Sequence, residues 1–90
     1  MNSTIYVQAV FHKADKHKKS ICKDLKEKGW EEYRLSGSSG LWKGDSDKLN
    51  CNKTRELELK AERDFFTCAV IYRVKMTLVY EVKRKSEYNY

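Results

Sequence analysis

Lys16, Lys19, Lys23 and Lys26 recur at intervals of three and four, the spacing that sets side chains on one face of a helix. At 100° per residue they fall within about 80° of arc, opposite an apolar stripe of Ala14, Ile21 and Leu25. Seven lysines stand against three acids between His12 and Lys28. A ridge so unbalanced can track phosphates, releasing a counterion for each charge it neutralises. Lysine is also the usual occupant of a solvated helix face, the plainer reading of the same pattern. A second group interleaves aromatic and basic residues: Trp30, Tyr33 and Trp42 lie near Arg34 and Lys43. Stacking on bases beside backbone charge is how single-stranded nucleic acid is held, although tryptophans of a small domain also serve its core. Lys83, Arg84 and Lys85, with Tyr88 and Tyr90 beyond, form a third basic and aromatic element. The expected nucleic-acid contacts are therefore Lys16, Lys19, Lys23, Lys26, Arg34, Trp42, Lys43, Lys83, Arg84 and Lys85.

Catalytic chemistry finds less support. His12 and His17, with Asp15 between them, could in principle cleave RNA without a metal, one imidazole taking the 2′-hydroxyl proton while another group protonates the leaving oxygen. No nucleophile has an adjacent base and orienting group, and no glycine-rich phosphate loop occurs. Gly37-Ser38-Ser39-Gly40 has a cradle's flexibility but no helix N-terminus after it. Cys22, Cys51 and Cys68 are odd in number and lack C-x-x-C spacing, so reduced thiols are expected rather than a disulfide framework. His12, His17 and Cys22 lack a fourth ligand at metal-site spacing. Neither a metal nor another cofactor is expected.

Ninety residues with a net charge of +6, 36% charged and 40% hydrophobic, describe one small basic globular domain over 1–90, with 84–90 as a basic and aromatic tail. The longest apolar run, 68–72, is far short of the roughly 20 residues that span a bilayer. The N-terminus shows no charged segment followed by an apolar stretch, so a cytoplasmic location is expected. A chain of this size buries only about 60% of its unfolded surface, so dimerisation would be a useful supplement.

The elements that must position these residues follow from their periods. Residues 4–11 are β-branched and aromatic with few polar interruptions, as in a central strand covered on both faces. Residues 14–28 read as an amphipathic helix that ends at Gly29. Residues 30–35 and 41–43 flank the turn Ser36-Gly37-Ser38-Ser39-Gly40 as a hairpin. Residues 45–53 are polar and weakly patterned. Thr54 can cap a helix over 55–63, where Leu57, Ala61 and Phe65 recur every four residues, although Leu57, Leu59 and Ala61 also alternate as in a strand. Strong helix formers decide for the helix. From Cys68 to Val82 apolar residues occupy every second position, predicting one strand of fifteen residues, roughly 50 Å long. Such a strand outruns a domain of this size, so it must bend, pair or protrude, the alternative being a three-residue turn that keeps its parity. Its distal half, Met76, Leu78, Tyr80 and Val82, is therefore expected to meet a second copy of the chain.

This order predicts an α+β protein, a ferredoxin-like βαββαβ sandwich with an unusually long C-terminal strand. The strand, lysine-rich helix and Gly-aromatic junction of the first half resemble small ferredoxin-like proteins of bacterial toxin-antitoxin and phage-defence systems, including RNA-cleaving antitoxins of the GhoS type. The likeness is architectural, spans about 45 residues and carries no site residue across. Three functions follow as expectations: a module binding RNA or single-stranded DNA; a protein-interaction module or inhibitor of the phage or mobile-element type, using the hairpin aromatics and long strand; and a small metal-independent RNase.

Overall fold

The computed structural model describes residues 3–36 and 39–84 and, within these, all side chains but those of 35–36 and 82–84. The expected turn residues Gly37 and Ser38, together with Lys85 and the rest of the tail, lie outside the described residues. The chain is mixed α+β. Four strands, β1 (Ser3–His12), β2 (Glu31–Ser36), β3 (Ser39–Asp45) and β4 (Lys75–Arg84), form one antiparallel sheet in the order β2-β3-β1-β4. Helices α1 (Lys18–Glu27), entered through a 3-10 turn at Asp15–His17, and α2 (Thr54–Tyr72) complete it. No helix among the described residues is long and apolar enough to cross a membrane.

Strand parity decides which side the helices cover. Ile5, Val7, Ala9 and Phe11 of β1 are buried, and the register places Val7 opposite Trp42 and Tyr80, and Ala9 opposite Leu78. Phe65 of α2 fills the centre of this face, with its ring 6.5 Å from Phe11, 5.1 Å from Trp30 and 6.2 Å from Trp42, the last two edge-on. Edge-to-face packing adds to what burial of these rings contributes. The residues of β1 between these, Tyr6, Gln8 and Val10, turn to the side without helices. The first strand is thus central in the sheet but covered on one face, not on both as its near-continuous apolar run suggests.

Gly29 ends the first helix as expected, at φ 103°. The Gly29 amide donates to the Lys26 carbonyl and the Trp30 amide to the Leu25 carbonyl, the paired bonds of a Schellman cap. Gly44 permits a close approach instead: a Cβ there would lie 2.5 Å from Trp30 Cζ3 and 2.6 Å from Leu49 Cδ1. The polar stretch 45–53 is more ordered than its composition suggests, because it feeds Leu49 and Cys51 into the core.

The C-terminal half corrects the sequence reading. Helix α2 runs through 19 residues to Tyr72, so residues 68–72 are helical and β4 has ten residues, the same length as β1. Position Lys53, not Thr54, is the N-cap, in extended conformation and without a side-chain capping bond. At the far end Arg73 takes the left-handed conformation, while the Arg73 and Val74 amides bond back to the Val70 and Ala69 carbonyls. Three of the residues expected to meet a second copy lie on the sheet face that the helices cover. Met76, Leu78 and Tyr80 are half-buried against the core, and Tyr80 donates its hydroxyl to Glu62 of α2 at 3.0 Å. The Val82 backbone pairs with Ile5. A bent or protruding strand is unnecessary once five of the fifteen positions belong to a helix.

Candidate nucleic-acid interface

Trp42 and Trp30 are each 2% exposed, so neither can stack on a base. The expectation for Trp42 is thereby corrected: its parity on β3 matches Val7, and its ring belongs to the Phe65 cluster. Trp30 follows the cap of α1 inward, where its Nε1–H donates to the buried Asp64 Oδ2 at 2.9 Å. Of the three hairpin aromatics only Tyr33 reaches solvent, at 55% exposure.

A bulge in β2 explains why. Glu32 opposes Trp42 and Arg34 opposes Leu41, leaving Tyr33 as the extra residue between them. An inserted residue re-aims the side chains around it, and here Tyr33 lies on the helix-free face, edge-on to Tyr6 with ring centroids 5.4 Å apart. Tyr6 is directly opposite Lys43 in the β1–β3 ladder, and Arg34 is exposed beside Tyr33. The sheet's open face therefore presents two aromatic rings with Arg34 and Lys43 around them. Glu31 and Glu81 share the Lys43–Tyr6 row, and Glu31 is engaged by Lys48 Nζ at 3.3 Å.

The lysine ridge forms on the opposite side of the sheet. Lys16 stands in the 3-10 turn, and Lys19, Lys23 and Lys26 are exposed along α1. Lys26 is partly neutralised by Glu32 of β2 at 2.7 Å, a bond that holds its pKa above the ordinary lysine value. Lys16, Lys19 and Lys23 have no acidic partner within 4.0 Å among the described residues. Between Lys19, Lys23, Lys26 and Glu32 runs a shallow groove whose floor includes Cys22. Burial first, then the Glu32 carboxylate, pushes the Cys22 thiol above its usual range, which makes it a poor nucleophile at neutral pH.

The anticipated contacts thus fall on two surfaces that meet at the β2 edge: the α1 lysines on one side, Arg34 and Lys43 on the other. The backbone of Lys83 and Arg84 pairs with Thr4 and Ser3 at the end of β4, and Lys85 is outside the described residues. The two histidines serve separate neighbours. His12 Nε2 shares a hydrogen bond with Thr77 Oγ1 at 2.9 Å, whereas the His17 ring lies against Tyr72, which donates its hydroxyl to Asp24 at 2.6 Å. Tyr6 was missed in the sequence because a strand judged covered on both sides has no open face. Its signal was the alternation of Ile5, Val7, Ala9 and Phe11 with larger or polar residues. Compared with known proteins, the chain matches no family model, no curated protein and no solved structure.

Proposed function

We propose that this protein is a ferredoxin-like module that binds single-stranded nucleic acid in a reducing, cytoplasmic setting. The Tyr6–Tyr33 pair on the open sheet face, with Arg34 and Lys43 beside it, carries the reading: rings offer sequence-tolerant stacking, and the cations answer the backbone charge. The unpartnered lysines of α1 supply a longer-range field that draws a polyanion toward the β2 edge. Support for the fold name comes from the element order, with β3 seated between β1 and β2 as in a split βαβ unit. Three free cysteines suit a reducing compartment.

Fluorescence anisotropy of a short labelled oligonucleotide tests this directly. Tyr33→Ala and Arg34→Ala are each expected to weaken binding about tenfold, the loss of one stacked base or one strong phosphate contact. Wild-type affinity in both variants would remove the platform from the account.

A second reading rests on α2. Leu59, Phe66 and Val70 are 48%, 51% and 75% exposed and lie within about 40° of arc on one helix face. An apolar stripe of this kind suits a protein partner. It replaces the C-terminal strand as the surface on which the protein-interaction alternative would stand.

A further inference from the structure

Three non-glycine residues among those described have positive φ: Lys13 at 54°, Asn50 at 55° and Arg73 at 55°. Asparagine is a common occupant of the left-handed region, but lysine and arginine are not, and glycine would occupy it without the Cβ penalty. Lys13 follows β1 and Arg73 precedes β4, and those strands end side by side, with His12 opposite Lys75. The two strained turns therefore meet. His12, Lys13, Arg73, Val74 and Lys75 line one shallow pocket.

Lys13, Arg73 and Lys75 have no acidic partner within 4.0 Å among the described residues. The end of α2 would ordinarily repel an anion through its free carbonyls. Here the Ala69 and Val70 carbonyls already accept from Val74 and Arg73. His12 is held by its bond to Thr77 at the pocket's rim. A planar guanidinium and two ammonium groups around a concavity suit a phosphate monoester, whose second negative charge a chain-internal phosphodiester lacks.

We propose that this pocket binds the terminal phosphate of a single-stranded nucleic acid whose following bases lie on Tyr6 and Tyr33. The inference rests on the nucleic-acid reading above and gives it a polarity. From His12 back to Tyr6 the open face runs about 20 Å along β1, a distance that a few extended nucleotides span.

The test compares one oligonucleotide sequence carrying a 5′-phosphate, a 3′-phosphate or hydroxyl ends, against the wild type and a Lys13→Gly, Arg73→Gly double variant. Glycine relieves both left-handed turns, so the variant keeps its fold while losing two cations. One phosphorylated end is expected to bind about tenfold more tightly than the hydroxyl form, and the double variant should lose that preference while retaining most affinity for the hydroxyl form. Equal affinity for all three ends, or a preference that persists in the variant, overturns the proposal. Inorganic phosphate, titrated while amide resonances are followed, separates the possible failures. Shifts at His12, Lys13, Arg73 and Lys75 without any preference among oligonucleotide ends assign the pocket to free phosphate and overturn the terminal-phosphate proposal. Failure of every oligonucleotide to bind overturns the nucleic-acid reading on which it rests.

Discussion

Asp64 is 5% exposed, yet it accepts from Trp30 Nε1 at 2.9 Å and lies 3.0 Å from Lys60 Nζ, both at the same carboxylate oxygen. Removing it leaves a buried indole N–H and a largely buried ammonium without their acceptor. Asp64→Ala is expected to cost about 2–4 kcal/mol in urea denaturation, and Asp64→Asn less, because an amide oxygen can still serve Trp30. A loss below about 0.5 kcal/mol in the alanine variant would mean that the network contributes little. Gly44→Ala tests the neighbouring packing. Its new methyl would enter the space of Trp30 and Leu49, so a destabilisation of about 1–3 kcal/mol is expected. Neither effect is visible in the sequence, where Asp64 is one acid among thirteen and Gly44 falls between the 41–43 strand and the polar stretch that follows it.

Helix α1 was legible because its stripe, its lysines and its glycine stop all agreed. The C-terminal half was not, for a specific reason. Cys68 and Tyr72 are four apart, a separation that satisfies both a helix and a strand, and only Val70 distinguished the two. Val70 is 75% exposed, so the residue that completed the apparent alternation contributes little to the core. Continuing Leu57, Ala61 and Phe65 to Cys68, Ala69 and Tyr72 would have given the helix its full length. The candidate site divides in the same way. Its lysines were readable from spacing, whereas the Tyr6–Tyr33 pair depends on a bulge that no local pattern announces. At this scale the salt dependence of oligonucleotide binding measures the ridge. Lys19→Ala and Lys23→Ala should each flatten the slope of log affinity against log salt by about 0.7, and Lys26→Ala by less, since Glu32 already occupies it. Wild-type slopes in all three would detach α1 from binding.

Three thiols and two phenols hold their protons more tightly in the fold. Burial raises the Cys22, Cys51 and Cys68 thiols above their ordinary value of 9.0. The hydrogen bond that Tyr72 donates to Asp24 raises its phenol above 10.0, while burial, then the bond to Glu62, raises Tyr80. Because these groups bind protons more tightly when folded, their contribution is fully present below their unfolded values and is lost as pH rises through the folded ones. Chemical denaturation should therefore show stability falling above about pH 9, with Tyr72→Phe and Tyr80→Phe together reducing the fall; a flat profile to pH 11 would contradict it. The molecule's two faces are equally distinct. One side of the sheet is closed by α1 and α2, and the other offers Tyr6, Tyr33, Arg34 and Lys43. Titrating isotopically labelled protein with a short single-stranded oligonucleotide, and mapping the amide shifts, tests that division most directly. Shifts concentrated at Tyr6, Tyr33, Arg34 and Lys43, extending over the β2 edge to Lys19 and Lys23, are the predicted result. An unchanged spectrum, or shifts confined to Leu59, Phe66 and Val70 on α2, would contradict the account.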